Sequence, residues 1–387
     1  MTTTPSEARV QIVNMVRDFV NREVEPVAAE HDREDTIPYD LIDRMKELGL
    51  FGITVPEEYG GMGLDYTTFA SIFEELSKGF MTLSGAIGTH HILTYVLTHY
   101  GTEEQKQRFL PDLASGRKRG GLALTEPSGG TDMANLQTTA TKDGEEYSIN
   151  GTKMFITNGR SGDMFCLLAR TDPDMEPRHK GISCFVVEKG GPGFDVGKDL
   201  DKLGYRGLDT SELIFNNFAV PENNLIGGKE GAGFGMVMSG LETGRINIAA
   251  RAVGVAQAAF EAAIKYSQQR ETFGKPISEH QAIQLKLADM ATKIQAARLL
   301  VYDAAGKKDT GQRVDLESGM AKLFASEVCL EVAMESMRVH GGVGYIKDSP
   351  VERYYRDAPL MVIGEGTNEV MRLVIAKQLL RLPEYQL

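Results

Sequence analysis

Helical repeats at both ends of this chain flank a middle stretch that has none, and that order constrains the fold more than any other feature. Over residues 10–113, apolar positions recur at three- and four-residue steps. Val10, Val13, Val16, Val20, Val24 and Val27 are examples, with charged residues between them. Thr102 followed by Gln105 has the form of a capping box and predicts a helix that stops near Gly116. Over residues 120–228 the texture changes to short apolar and β-branched runs, such as 163–169 and 182–187, separated by turns. Asp143-Gly144 and Asn150-Gly151 are both hairpin signals. From Gly233 the helical texture returns. A long helix is expected over 234–269. Ser278 with Gln281 predicts a second capping box, opening a helix towards Gly306. A third helix over 316–340 should stop at Gly341-Gly342, and a fourth covers 368–381. The expectation is an α+β chain of three domains: an N-terminal all-α domain (1–118), a middle antiparallel β-barrel (119–229) and a C-terminal four-helix bundle (230–387).

Composition removes several function classes. The net charge of −12 repels nucleic acid and anionic membranes, although a few local arginines can still hold a pyrophosphate. No apolar run approaches the roughly 18 residues of a membrane span, and the first ten residues hold no signal core. Cys166, Cys184 and Cys329 have no metal-like spacing. Their odd, small number implies neither a metal site nor a disulfide framework and suits a reducing compartment, a bacterial cytoplasm or a mitochondrial matrix. A complete G-x-G-x-x-G and a βαβ alternation are both lacking, which disfavours the usual dinucleotide fold without excluding a dinucleotide.

Four strings could carry chemistry. In Gly364-Glu365-Gly366-Thr367-Asn368-Glu369 a carboxylate sits between two glycines just before a helix that Thr367 can cap. In Leu122-Ala123-Leu124-Thr125-Glu126-Pro127-Ser128-Gly129-Gly130-Thr131-Asp132 an apolar strand runs into a turn rich in hydroxyls and N–H groups. In Lys153-Met154-Phe155-Ile156-Thr157 an aromatic ring and a hydroxyl two residues apart are expected on one strand face. Arg270-Glu271-Thr272-Phe273-Gly274 follows a long helix and offers a guanidinium for a pyrophosphate. Each string alone is also compatible with an ordinary loop, turn, core strand or helix end.

Together and in this order, the strings resemble the acyl-CoA dehydrogenase family over essentially the whole chain. The resemblance implies FAD as cofactor and Glu365 as the base that removes an α-proton from an acyl-CoA thioester. The β-hydrogen then leaves as hydride to the flavin, giving a trans-2-enoyl-CoA. It places Thr125 and Thr157 on the flavin ring with Phe155 against it, and Leu122, Leu124 and Ile156 beside the cofactor. Thr131 falls where flavin and thioester meet. Arg270, Thr272, Phe273, Gln281, Gly341 and Gly342 reach the FAD of a neighbouring subunit; Arg338, among the cofactor positions, departs from the frequent Gln, and its contact stays open. Thr367 and Glu369 approach its adenosine diphosphate part. Glu242, Arg245 and Gly366 lie by the substrate. Some branches of the family carry the base just before this arginine, where Gly244 stands here. The resemblance further implies a homotetramer, a dimer of dimers, and an electron-transferring flavoprotein as electron acceptor. A flavin oxidase on the same scaffold, or a non-catalytic scaffold that kept the fold, stays open. Acyl selectivity is expected from residues 84–96. His90 and His91 are the unusual polar choices there, expected to face opposite ways and to be solvated or hydrogen-bonded. With no Lys or Arg in that stretch, a dicarboxylic acyl group lacks an obvious partner.

Overall fold

The structure of the chain, a computed structural model, describes residues 5–381. It opens with five helices: α1 (Pro5–Phe19), α2 (Glu25–Glu34), α3 (Tyr39–Glu47), α4 (Tyr66–Tyr100) and α5 (Glu103–Ala114), with a π-helical turn, Val20–Val24, between the first two. The heptad-like valines are legible in it: Val16, Val20 and Val24 are buried, whereas Val10 is exposed. The predicted capping box forms in full, Thr102 and Gln105 each accepting from the other's backbone N–H. Within α4, Phe80 leaves helical geometry (φ −154°, ψ 107°), so this element is two helices joined at a kink. Gly79, immediately before it, is the sequence's signal for that break.

The middle domain is a curled seven-stranded sheet built from β1 (Gly120–Ala123), β2 (Thr139–Asp143), β3 (Glu146–Thr157), β4 (Met164–Arg170), β5 (Ile182–Glu188), β6 (Phe194–Asp199) and β7 (Thr210–Pro221). It is not wholly antiparallel. β1 pairs with β4 in parallel, and β2 meets β4 in parallel at Thr139 and Arg170. Among the described residues β5 and β6 pair on one side only, so the strands do not complete a ring of hydrogen bonds. Asp143-Gly144 begins a tight hairpin, with Asp143 opposite Glu146. Asn150-Gly151 does not make a turn. It lies inside β3 at a register shift, where a Cβ on Gly151 would stand 2.4 Å from Thr138 Oγ1. The glycine permits a bulge and close approach of a neighbour, a role that a turn-forming dipeptide shares.

The C-terminal helices are α6 (Gly233–Gln269), α7 (Gln281–Asp309), α8 (Asp315–His340), α9 (Val351–Ile363) and α10 (Asn368–Leu379), with a small hairpin of β8 (Glu271–Thr272) and β9 (Lys275–Pro276) after α6. The sequence missed α9, whose Pro350 and Pro359 masked a helical repeat. The second capping box is absent: α7 starts at Gln281 itself, its N-cap is His280 without a side-chain cap, and Ser278 sits in a preceding 3₁₀ turn. One apolar core runs through the N-terminal and C-terminal helices together, joining Phe69, Phe73 and Ile87 of α4 to Ile246 and Val253 of α6 and Ala325 and Val332 of α8. Small residues make that possible. A Cβ on Gly254 would stand 2.3 Å from Glu74 O, so α6 can approach α4 this closely only with glycine there. The sheet keeps a separate core around Tyr147, Phe165, Phe185 and Phe215.

Candidate functional site

Glu365 occupies the loop between α9 and α10 in a left-handed conformation (φ 53°), rare for a residue with a side chain and typical of strained functional positions. The loop is held at both ends. Thr367 caps α10 by accepting from the Val370 N–H, and Lys322 of α8 donates to Val362 O (3.0 Å), Gly366 O (2.7 Å) and Asn368 Oδ1 (2.8 Å). So fixed, the carboxylate is directed at α6. A Cβ placed on Gly244 would meet Glu365 Oε2 at 1.9 Å and Ile92 Cδ1 of α4 at 3.0 Å. Oε2 is buried and has no hydrogen-bond partner. Burial pushes the carboxyl up to about 7, against the opposing pull of Arg251, Lys322 and Arg245.

The three cations differ in how they are held. Arg245 pairs with Asp315 at 3.1 Å. Lys322 is fully engaged with the loop, and burial lowers its ammonium to about 8. Arg251 has no ion-pair partner among the described residues. Its guanidinium lies 5.1 Å from the centre of the Tyr205 ring, with Nε and Nη2 buried and unpaired. Tyr205, buried and left-handed (φ 57°), also interacts with the Thr157 hydroxyl, and so links the end of β3 to the bundle. Glu242 is different in kind. It is fully buried, receives Lys308 (2.9 Å), Arg313 (3.3 Å) and the Val314 N–H (3.3 Å), and serves as a structural hub.

The middle-domain strings meet next to this end of β3. The Met154 N–H donates to Thr125 O at 2.8 Å, and Lys153 pairs with Glu126 at 2.8 Å with both side chains buried. Glu126 also accepts from the backbone N–H groups of Gln137 and Thr138, which fixes the turn carrying Thr131. The simple alternation expected for Phe155 and Thr157 does not hold. β3 bulges between Lys153 and Ile156, and Phe155 sits in the bulge at φ 61° with 60 % of its surface exposed. The bulge turns a large ring outward that a regular strand would have turned in. Leu124 and Ile156 are buried in the core, Leu122 is partly buried and Thr131 is exposed.

Three family models match in the chain's own order: the N-terminal domain of acyl-CoA dehydrogenase over residues 6–117, the middle domain over 121–218 and the C-terminal domain over 231–380. The chain belongs to the acyl-CoA dehydrogenase family. It is 47% identical over 376 residues to an acyl-CoA dehydrogenase of Bacillus subtilis (strain 168), covering 97% of this chain and 98% of that one. Butyryl-CoA dehydrogenase from Megasphaera elsdenii superposes with a TM-score of 0.93 at 40% identity, over 98% of this chain and 100% of that one. A chain solved in work on the electron transferring flavoprotein of Acidaminococcus fermentans and flavin-based electron bifurcation gives 0.93 at 45%, over 99% and 100%.

FAD is the cofactor of this acyl-CoA dehydrogenase, and the residues present fit it. An exposed aromatic ring on a strained bulge, the Thr125 and Thr157 hydroxyls and an exposed Gly129-Gly130 turn form a surface suited to a flat heterocycle and its polar edge. The remaining residues expected at the cofactor do not join that surface within one chain. Arg270 caps the far end of α6, 25 residues beyond Arg245 and thus about 38 Å along the helix. Phe273, with Gly274, forms a two-residue turn of positive φ and is 97 % exposed. Thr272 bonds His280, and Gln281 is exposed at the start of α7. Gly341-Gly342 is at the same end, where His340 stacks on Tyr266, while Arg338 is engaged with Glu335. Glu369 is exposed on the first turn of α10.

Sequence reading overlooked Lys322, Arg251, Asn247 and Tyr205. Lys322 was findable: it is flanked by Ser318, Gly319, Ala325 and Ser326 at helical spacing, a seam too small-sided for a solvated lysine. His90 and His91 do not face opposite ways. Both rings turn to one loop, bonding the adjacent carbonyls of Phe51 (3.1 Å) and Leu50 (3.0 Å). His90 Nδ1 also accepts from the Gly120 N–H. Burial lowers them to about 3 and about 4, so both are neutral hydrogen-bonded struts, and no metal cluster occurs among the described residues.

Proposed function

We propose that this acyl-CoA dehydrogenase oxidises the Cα–Cβ bond of an acyl-CoA with Glu365 as the base. One observation carries the reading: a buried carboxylate oxygen without a partner, poised near neutrality, is aimed at Gly244, where α6 faces Ile92 of α4. A general base works best when its pKa is close to the operating pH, and burial supplies that shift here. The Lys322 clamp and the left-handed loop keep the carboxylate from swinging to solvent. The bound flavin supplies the two-electron acceptor for the β-hydrogen. Phe155, Thr125 and Thr157 orient its ring, and Thr131 borders the thioester. Arg245, anchored by Asp315, lends positive charge beside the developing enolate. Glu242 contributes the rigidity of α6 rather than chemistry.

The exposed hairpin at Phe273, too far from Glu365 to serve its own site, supports a homo-oligomer in which Arg270, Thr272, Phe273, Gln281 and Gly341-Gly342 complete a neighbour's FAD site. Exposed apolar side chains in the C-terminal part of the chain, among them Leu285, Leu299, Tyr345, Leu373 and Leu380, agree with a dimer of dimers. An electron-transferring flavoprotein is the electron acceptor in this reading, in line with the Acidaminococcus fermentans relative. Among the described residues no helix is long and apolar enough to cross a membrane.

The test is Glu365→Gln. The variant should purify yellow with FAD bound, yet fail to bleach anaerobically with any acyl-CoA that bleaches the parent. Normal bleaching would refute the assignment. Peroxide release in place of dye reduction would favour an oxidase on the same scaffold, and a colourless parent protein a non-catalytic one.

A further inference from the structure

We infer that the acyl pocket of this chain is built for a short acyl group whose far end carries a carboxylate, held by Arg251 and Asn247. The inference rests on the placement of Glu365 as the base. Of the three cations around Glu365, Arg245 has Asp315 and Lys322 has three acceptors, but Arg251 has no oxygen to receive its Nε and Nη2 hydrogens. It is 4 % exposed. Asn247, one turn earlier on α6, is fully buried, and both of its side-chain polar atoms are unpaired. A buried guanidinium and a buried amide left idle are costly, and native chains keep such groups where a ligand completes them.

Their position fits the end of an acyl chain. A Cβ on Gly88 of α4 would lie 2.8 Å from Asn247 Nδ2 and 3.6 Å from Arg251 Nη1, so only glycine there lets these two polar groups face α4 at this level. Ile92, one turn along α4, marks the level of Glu365. The four residues from Gly88 to Ile92 rise about 6 Å, the span of a chain of about four or five carbons. Beyond Arg251 the groove closes, because Tyr205 Oη occupies the place a side chain at Gly85 would take, 1.9 Å from its Cβ. A short acyl chain ending in methyl leaves Arg251 Nε and Nη2 without an acceptor. A terminal carboxylate takes the guanidinium N–H groups bidentately and the Asn247 amide as well. The sequence had offered no cation for a dicarboxylic acyl group over 84–96; the structure supplies one from the facing helix.

Two measurements on the full-length, FAD-loaded protein test this. In the first, Glu365→Gln protein, which separates binding from turnover, is titrated by calorimetry with glutaryl-CoA and pentanoyl-CoA. Glutaryl-CoA should bind more tightly by roughly a hundredfold, the effect of hydrogen bonds to a charged group, and Arg251→Met in that background should erase the difference. In the second, the parent is titrated anaerobically with succinyl-, glutaryl-, butyryl- and pentanoyl-CoA. The dicarboxylic thioesters should bleach the flavin at the lowest concentrations, and Arg251→Met should reverse the preference. Should Arg251→Met fail to hold FAD, Asn247→Val serves in its place, with a smaller loss in the same direction. Bleaching by butyryl- or pentanoyl-CoA with equal or weaker response to the dicarboxylic pair overturns the pocket assignment and leaves Glu365 as the base. No bleaching by any of the four, or by longer acyl-CoAs, overturns both.

Discussion

Two glutamate carboxylates meet within one turn of α6, Glu242 from the helix itself and Glu365 from the facing loop, and their surroundings are opposite. Glu242 is saturated: an ammonium, a guanidinium and a backbone N–H converge on it. Glu365 presents Oε2 to nothing, although three cations lie close enough to act on it through space. The difference separates stability from reactivity. A carboxylate whose lone pairs are all occupied is a poor base and a good anchor. One left partly unsolvated, with its charge only partly offset, is a poor anchor and a good base.

The largest effect expected from breaking this contrast is at the anchor. Glu242→Gln leaves Lys308 charged and buried, and should lower unfolding stability by about 3–5 kcal/mol in denaturant titrations, while flavin-containing protein that survives still bleaches. Next comes Gly244→Ala, whose new methyl would stand 1.9 Å from Glu365 Oε2 and force the carboxylate aside; kcat/KM should drop on the order of a hundredfold with FAD content unchanged. The pH response is third. With the Glu365 carboxyl near 7, kcat/KM should rise about tenfold per pH unit on the acid side and level off above pH 7. Stability runs the other way. The folded pKa stands above the ordinary 4.5, so the fold favours the protonated form. That contribution is fully present below about pH 4.5 and is lost as pH rises through about 7. Glu365→Gln should accordingly match the parent's Tm at pH 4 and exceed it at pH 8. The smallest effect is at Arg313, whose side chain is 76% exposed: Arg313→Ala should cost below about 1 kcal/mol because Lys308 remains.

Much of the fold was readable because it rests on local periodicity. The valine repeat, the Thr102–Gln105 cap and the Gly341 stop each need only a few neighbouring residues. What escaped depended on distant partners. Asn150-Gly151 has turn chemistry, but Thr138 approaching across the sheet makes it a bulge. Ser278 and Gln281 are spaced as a box, but the preceding hairpin moves the helix start to Gln281. The loop around Glu365 was legible because two glycines and a cap bracket it. Arg251 was not, since nothing around it in an alanine-rich helix distinguishes a solvated arginine from one sealed against Gly88 and Tyr205. His90 and His91 look like pocket-lining residues until the Leu50 and Phe51 carbonyls are seen to claim them.

The near-contact of residue 244 with the Glu365 carboxylate makes two codons, far apart in the gene, a single heritable choice. An acidic side chain can be delivered to this spot from the helix or from the loop, never from both at once. A side chain larger than hydrogen at position 244 therefore requires the Glu365 carboxylate to leave its present place, so a change at either position is felt at the other.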